Sequence, residues 1–321
     1  MSEASIAMGD GKMIPLCSFG TYLCTKEDVL SSCGYAIREC QYIGIDTAEG
    51  YNNEDSVGEV LKSLTLTVDN KNEQSNKPIN FKPFITTKLW PGMGENIKSY
   101  DEVITSCLNS LKKLQLEQVD LYLIHAPFAG SLEPNNRIQQ WKALLHLQSI
   151  HKCISIGVSN YSIKHLDEIK EANLPLPAVN QLELHPLCQH KDIIEYCKNN
   201  NILPVAYSSL APLSTWRTQQ NSGKNKLMQD EEFGSHVNAA NVIIDRLALK
   251  YNITNAILLY KWGKQHGYPL LPKSNTFQRI KANIECVFDS TLISTEDMCV
   301  LDGLDLKQSF AWPNGDPVAT L

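Results

Sequence analysis

The chain has 321 residues, of which 43% are hydrophobic and 20% charged, and its formal net charge is −6 at neutral pH. This composition is typical of a globular protein, and the acidic balance argues against a nucleic-acid or anionic-membrane partner. No run of about 18 apolar residues occurs, and the N-terminus lacks the pattern of a secretion signal. The ten cysteines form no CxxC pair, which indicates free core thiols. We therefore expect a soluble, cytoplasmic protein.

Short β-branched runs alternate with stretches of helical periodicity along the whole chain. Residues 8–12 (MGDGK) predict the turn of an N-terminal β-hairpin. The predicted strands are 16–20, 43–48, 84–89, 119–126, 154–160, 178–184, 203–208 and 270–274. The predicted helices lie near 26–40, 53–63, 95–113, 137–150, 162–171, 190–200, 239–250 and 276–286.

Eight β-then-α units with strands apolar on both sides predict an α/β protein, a (β/α)8 TIM barrel, as one domain over residues 1–321. A doubly wound sheet is the alternative, but Gly9 and Gly11 precede a strand instead of following one, so the dinucleotide fingerprint is missing. The polar segments 66–80 and 211–237 are predicted to be loops. The second follows the seventh strand, which places it on the catalytic face of a barrel.

Four chemically suitable side chains fall at the ends of three successive predicted strands: Asp46, Tyr51, Lys88 and His125. In a barrel these ends converge on one face. An ammonium beside a phenol lowers the pKa of the phenol, so Lys88 would make Tyr51 a usable proton donor. Asp46 would hold Lys88, and His125 would orient a carbonyl oxygen. Each residue alone is more often structural, but their joint placement predicts carbonyl reduction without a metal.

Seven motifs in chain order resemble the aldo-keto reductase superfamily. They read IDTAEGYNNE, TTKLW, LYLIHAP, IGVSNY, VNQLELHP, VAYSSL and LPKSNTFQRIKAN. The resemblance implies a (β/α)8 barrel that reduces small-molecule aldehydes and ketones with NADPH. It also implies that the four strand-end residues form the catalytic tetrad, with Tyr51 as general acid.

The resemblance further implies which residues bind NADP(H). Ser159, Asn160 and Gln181 would hold the nicotinamide carboxamide, and Tyr207 would stack on its ring. Lys273, Ser274 and Arg279 would bind the adenosine 2′-phosphate at a helix start, where an anion is also favoured. The other predicted cofactor-binding residues are Gly20, Thr21, Tyr22, Ser208, Leu210 and Asn283.

Departures from the family pattern bear on the substrate and on the adenine. Ala126 stands where tryptophan is common, which predicts a wider pocket, and the HAPF and APL segments are similar to fungal reductases of α-keto amides and conjugated polyketones. The substrate is therefore predicted to be an α-keto or dicarbonyl compound. Candidate pocket walls are Phe128, Trp216 and Trp312. Ala282 replaces a common Glu or Gln, which puts part of the adenine recognition in question.

A second hypothesis comes from a different functional class. The β-subunits of voltage-gated potassium channels share this fold and tetrad but act largely through a partner. The chain could accordingly be an NADP-binding, redox-sensing regulatory subunit, which turnover measurements would distinguish from an enzyme. We expect a monomer or a homodimer.

Overall fold

A computed structural model of the chain describes residues 4–66, 82–130, 135–213, 231–312 and 315–320. The chain divides into two compact units. Unit 1 comprises residues 1–17, 159–272 and 282–321, and unit 2 comprises residues 18–158 and 273–281. The prediction of a single domain over the whole chain stays a prediction.

The strands in the described part of the chain follow the predicted order. They are β1 (Ser5–Ala7), β2 (Met13–Pro15), β3 (Phe19–Gly20), β4 (Gly44–Asp46), β5 (Phe84–Leu89), β6 (Val119–Ile124), β7 (Cys153–Ser159), β8 (Val179–Glu183) and β9 (Leu203–Tyr207). The seven strands β3 to β9 lie within three residues of their predicted bounds.

The α-helices are α1 (Lys26–Asp28), α2 (Gly34–Arg38), α3 (Glu54–Leu66), α4 (Tyr100–Leu114), α5 (Asn135–Ser149), α6 (Ile163–Glu171), α7 (Lys191–Asn199), α8 (Glu231–Lys250), α9 (Asn255–Gln265), α10 (Phe277–Phe288) and α11 (Thr295–Asp302). A π-helical turn (Val29–Cys33) joins α1 to α2. Short 3-10 helices span Glu49–Tyr51, Pro127–Gly130, Ala211–Leu213 and Pro317–Ala319. The sequence did not predict α9 and α11.

Unit 2 is built on parallel strands whose order follows the chain. β3 pairs with β4, β4 with β5, β5 with β6 and β6 with β7. The register places Gly20 beside Asp46, and Lys88 beside Leu123. The helix α3 packs against α4, and α4 packs against α5. This arrangement brings the carboxyl ends of β3 to β6 to one edge, where the candidate residues lie.

The N-terminal hairpin is present in unit 1, as predicted. β1 pairs with β2 in antiparallel register, and Met8 N–H donates to Lys12 O across the turn at 2.8 Å. The turn contacts the start of the β8–β9 pair, because Gly9 N–H donates to Ala178 O at 3.0 Å and Asn201 Nδ2 donates to Gly9 O at 2.8 Å. The hairpin therefore covers the amino ends of these strands, away from their carboxyl ends.

The eighth predicted strand, 270–274, is shorter than expected. Only Leu270 takes part in pairing, as an isolated parallel bridge to Cys17 and another to Ala206. Pro269 and Pro272 flank this residue, and proline has no backbone N–H to donate to a ladder. Leu270 nevertheless pairs on both sides, as the last strand of a closed barrel does.

The predicted loops at 66–80 and 211–237 are described only in part. Residues 67–81 and 214–230 lie outside the described residues. The prediction is wrong for residues 231–237, which form the first two turns of α8. The buried residues Val237, Ala240, Ile244 and Leu247 give this helix an apolar face at helical spacing, which begins inside the segment that its polar composition assigned to a loop.

The ten cysteines are free thiols, and nine of them are buried. Cys299, on α11, is the exposed one. Among the described helices, none is both long enough and apolar enough to cross a membrane.

Candidate active site

All four tetrad residues lie in unit 2, and Asp46, Lys88 and His125 stand at the strand ends where the sequence places them. Asp46 is the last residue of β4, Lys88 is the penultimate residue of β5, and His125 follows β6. Lys88 Nζ donates to Asp46 Oδ1 at 2.5 Å, to Thr47 O at 2.9 Å and to the Tyr51 hydroxyl at 3.3 Å. The structure thus joins Asp46, Lys88 and Tyr51 in one hydrogen-bonded chain.

Tyr51 ends the 3-10 helix Glu49–Tyr51, and its ring lies between aromatic neighbours. Its centroid is 5.4 Å from that of His125 in an edge-on arrangement and 5.0 Å from that of Tyr22. The Lys88 ammonium lies 4.9 Å from the centroid of the Tyr51 ring. The backbone of His125 is bound to the end of β5, since its N–H donates to Leu89 O at 3.0 Å.

Burial controls the protonation of the site. Removal from water, then the Lys88 charge, holds the pKa of His125 well below its ordinary value, so the imidazole is neutral. Burial also lowers the pKa of Lys88, an effect that the Asp46 carboxylate opposes. Burial, Asp46 and Tyr22 raise the pKa of Tyr51 well above its ordinary value. The expectation of a lowered Tyr51 pKa is therefore wrong for the protein alone, because removal from water and the nearby Asp46 carboxylate raise this pKa.

Asn53 fixes the chain after Tyr51. Its buried side chain accepts from Thr47 Oγ1 at 3.1 Å and donates to Thr21 O at 2.9 Å and Cys24 O at 3.2 Å. Thr21 N–H in turn donates to Asp46 O at 3.0 Å. The predicted first-strand loop is thereby bound to the strand end that carries Asp46. Gly20 ends β3 within this network, and Tyr22 is 43% exposed beside Tyr51.

The wall beside His125 is aromatic. The Trp90 ring lies 5.9 Å from His125 and 5.8 Å from Phe128, nearly perpendicular to the first. Ala126 is completely buried, so its methyl group contributes no surface to an open pocket. Trp90 and Phe128 supply aromatic rings beside His125, and the wider pocket predicted from Ala126 stays a prediction. Trp216 lies outside the described residues.

The residues predicted to hold the nicotinamide are linked to each other in unit 1. Ser159 Oγ donates to Gln181 O at 2.8 Å, and Asn160 Nδ2 donates to Ser159 Oγ at 2.9 Å. Tyr207 donates its hydroxyl proton to Asn160 Oδ1 at 2.6 Å, and Trp312 Nε1 donates to the Tyr207 oxygen at 2.7 Å. Trp312, predicted as a pocket wall, therefore holds the hydroxyl of the predicted stacking ring.

Glu183 anchors the tail that carries Trp312. This buried carboxylate accepts from Ser309 Oγ at 2.5 Å, from the backbone N–H of Phe310 at 2.9 Å and from that of Ala311 at 3.0 Å. Its fourth partner is His185 Nε2, at 3.0 Å. Burial raises the pKa of Glu183, but these hydrogen bonds outweigh it and the pKa lies below its ordinary value. The carboxylate therefore stays ionised and fixes the tail.

After β9, the predicted contacts Ser208 and Leu210 start the 3-10 helix Ala211–Leu213. Ser208 has a positive φ of 52°, and its carbonyl accepts from Ala211 N–H at 2.8 Å. Leu210 O accepts from Leu213 N–H at 3.0 Å. The two residues thus form the turn that leaves the strand.

The predicted phosphate site lies at the start of α10. Lys273 and Arg279 are exposed, and neither forms a hydrogen bond or an ion pair within the part of the chain that the structure describes. Ser274 Oγ accepts from Thr276 N–H at 3.1 Å and so shapes the turn into the helix. Asn283, further along α10, is buried. Two unpaired cations beside a helix N-terminus suit a dianionic phosphate.

Comparison with known proteins identifies the family to which the chain belongs. Residues 19–305 match the model of the aldo/keto reductase family, and the chain belongs to this family. It is 30% identical to an uncharacterised oxidoreductase of Schizosaccharomyces pombe, over 97% of this chain and 98% of that protein. It is 32% identical to a methylglyoxal reductase of Escherichia coli, over 91% of this chain and 90% of the relative.

Two solved structures show the same fold. One is an aldo-keto reductase from a deep-sea metagenome, with a TM-score of 0.73 and 29% identity, covering 95% of this chain and 96% of that one. The other is an aldo-keto reductase complexed with NADPH, with a TM-score of 0.77 and 24% identity, covering 96% and 89%. The (β/α)8 fold class is thereby confirmed. Its family makes the chain an NADP-dependent oxidoreductase of small carbonyl compounds, as predicted.

Proposed function

We propose that this protein reduces aldehydes or ketones to alcohols, with Tyr51 as the proton donor. The observation that carries the proposal is the hydrogen-bonded chain from Asp46 through Lys88 to the Tyr51 hydroxyl. When bound, NADPH supplies a hydride from nicotinamide C4 to the carbonyl carbon. The oxygen then becomes an alkoxide, which needs one proton.

Tyr51 can supply that proton although its pKa is raised. An alkoxide is far more basic than a phenolate, so transfer from phenol to alkoxide remains favourable. A raised pKa keeps the proton on Tyr51 before reduction. The adjacent Lys88 ammonium stabilises the phenolate left behind, and Asp46 keeps that ammonium charged and in place. Neutral His125 would bind the carbonyl oxygen and orient it.

The residues predicted to hold NADP(H) have suitable chemistry. Ser159, Asn160 and Gln181 carry the hydroxyl and amide groups that a carboxamide requires, and they are buried. Lys273 and Arg279 are exposed cations with no protein anion bound, among the described residues. We propose that the first set holds the nicotinamide and the second the 2′-phosphate, with Gly20, Thr21, Tyr22 and Asn283 as further contacts.

For the substrate we propose an α-keto or dicarbonyl compound, which would place the chain near the fungal reductases of α-keto amides and conjugated polyketones. The HAPF segment supports this assignment, and so does the relative named methylglyoxal reductase. Aromatic surfaces from Trp90 and Phe128 beside His125 also suit a planar, conjugated carbonyl better than a polyhydroxylated sugar. A panel of methylglyoxal, α-keto amides and sugar aldehydes tests the assignment, and a preference for the sugars would contradict it.

The test of the reaction follows NADPH absorbance with wild-type protein and Tyr51→Phe. Loss of the general acid is expected to lower kcat by about 10²- to 10⁴-fold. Tyr122→Phe is the matched control, because the buried Tyr122 hydroxyl has no hydrogen-bond partner among the described residues. NADPH binding, measured by titration, should be unchanged in both variants.

Two outcomes separate the alternatives. Full turnover by Tyr51→Phe would remove Tyr51 from the mechanism. Tight NADPH binding by wild type without turnover of any carbonyl would instead favour a redox-sensing regulatory subunit. We further propose a cytoplasmic monomer or homodimer, which fractionation and light scattering test.

A further inference from the structure

Three contacts hold the short helix that carries Tyr51 to the segment after β5, between Trp90 and Lys98. Glu49, two residues before Tyr51, accepts from the backbone N–H of Trp90 through Oε2 at 2.8 Å. Lys98 Nζ donates to the same carboxylate at 2.6 Å and 2.8 Å. Gly50 lies against the Trp90 indole, since a Cβ there would sit 3.7 Å from the ring atom Cε3. We call the group of Glu49, Lys98 and the Trp90 N–H the Glu49 clamp.

The clamp is anchored at its far end. The buried Gln140 side chain of α5 donates to Pro91 O at 2.8 Å and to Lys98 O at 2.9 Å. Lys98 N–H donates to Pro91 O at 3.0 Å, which closes the loop after Trp90. Lys98 Nζ also donates to Ser106 Oγ at 2.8 Å. The lysine that faces Glu49 is therefore fixed by two neighbouring helices, α4 and α5.

This geometry has a consequence for Tyr51. Lys88 and Trp90 are two residues apart at the end of β5, and each contacts the 3-10 helix Glu49–Tyr51. The Lys88–Tyr51 distance of 3.3 Å is long for a charge-assisted hydrogen bond, so this contact alone holds the phenol weakly. The Glu49–Trp90 bond is shorter and is reinforced by an ion pair in which both side chains are mostly buried. We propose that Glu49 is a positioning residue, which sets the distance between the Tyr51 hydroxyl and Lys88 without touching the substrate.

The proposal rests on the proposed role of Tyr51. Glu49→Ala removes both the acceptor for Trp90 N–H and the partner of Lys98. A displacement of Tyr51 by about 1 Å is expected to lower kcat by about 10- to 100-fold. Glu49→Gln keeps an acceptor for Trp90 N–H, so it should recover much of the lost turnover, whereas Lys98→Met should fall between Glu49→Gln and Glu49→Ala.

The discriminating measurement is the effect of deuterium at nicotinamide C4 on kcat. Slower chemistry in Glu49→Ala should raise this isotope effect while the NADPH dissociation constant stays unchanged. The matched control is Glu59→Gln, which removes an exposed ion pair with Lys26 in the same unit. The urea midpoint, recorded for every variant, shows that the comparison is made between folded proteins.

The results for the Glu49 variants can be told apart from the result of the Tyr51→Phe test of the proposed reaction. An unchanged kcat and isotope effect in Glu49→Ala overturns the positioning role while leaving Tyr51→Phe to decide the general acid. If Glu49→Ala does not fold, Glu49→Gln and Lys98→Met decide in its place: wild-type kcat and isotope effect in both overturn the proposal. Loss of kcat in Glu49→Ala with recovery in Glu49→Gln supports it.

Discussion

Two groups of cations in unit 2 are built differently. Lys88 is completely buried and donates three hydrogen bonds, whereas Lys273 and Arg279 are exposed and have no hydrogen-bond or ion-pair partner in the described part of the chain. A buried charge must be paired as the protein folds, because its desolvation is otherwise too costly. An exposed charge stays hydrated until an anion binds. Changes at Lys88 should therefore affect stability and turnover together, and changes at Arg279 should affect cofactor affinity alone.

The largest effect is expected from Lys88→Met. The change leaves the buried Asp46 carboxylate without its ion-pair partner, which should lower the free energy of unfolding by about 3–5 kcal/mol. Urea denaturation measures this loss. The double variant Asp46→Asn with Lys88→Met should recover part of it. A loss of unfolding free energy below about 1 kcal/mol would show that the pair behaves like a surface ion pair. The buried Lys88 would then not differ from the exposed cations in its effect on stability.

Arg279→Ala should weaken NADPH binding without changing stability. Loss of a hydrogen bond to a charged group costs about 1.5–3 kcal/mol, which corresponds to roughly a 10- to 150-fold higher dissociation constant. NADH, which lacks the 2′-phosphate, should bind the variant and the wild type equally. Lys281→Met removes a different exposed cation from the same helix and serves as the control. Equal losses for NADPH and NADH would argue against a phosphate contact at Arg279.

The pH dependence of stability should report on His125. Its pKa is well below the value of about 6.5 expected in the unfolded chain. Above pH about 6.5 the imidazole is neutral in both states. As the pH falls below this value the unfolded chain binds a proton that the folded chain does not, so each unit removes about 1.4 kcal/mol. The unfolding free energy of His125→Gln should fall less steeply between pH 6.5 and 5.5, roughly by this slope; parallel curves would contradict a neutral, buried His125.

The smallest effect is expected in unit 1, from Trp312→Phe. The change removes the hydrogen bond to the Tyr207 hydroxyl but keeps an aromatic ring. A neutral hydrogen bond contributes about 1 kcal/mol, so NADPH affinity should fall about five-fold if Tyr207 stacks on the nicotinamide. Fluorescence titration with NADPH measures this change. An unchanged affinity for NADPH would show that the tail carrying Trp312 does not contribute to cofactor binding.

Much of the fold and the tetrad could be predicted from the sequence because both depend on local patterns. The strands β5 and β6 are runs of β-branched and apolar residues, so their ends, and hence Lys88 and His125, were found within two residues. The helix α8 is longer than predicted because its first two turns are polar, and α9 and α11 each follow another helix with no strand between them to mark a β/α unit.

What could not be predicted depends on three-dimensional surroundings. The clamp residues Glu49 and Lys98 are 49 residues apart, and no spacing in the sequence connects them. The rise in the Tyr51 pKa could not be read from residue types, since a neighbouring lysine predicts the opposite sign. It follows from the partial burial of the phenol together with the Asp46 carboxylate nearby. Local sequence patterns predict which groups form the site, whereas the protonation states of these groups depend on how they pack in the folded chain.

The distribution of the cysteines also makes the protein convenient to handle in the laboratory. With nine thiols buried and Cys299 exposed on α11, a maleimide reagent should attach to the native chain at one position, far in sequence from every tetrad residue. On unfolding, all ten thiols become reactive. Mass spectrometry after a brief thiol pulse would then count folded and unfolded molecules separately, without any engineered label.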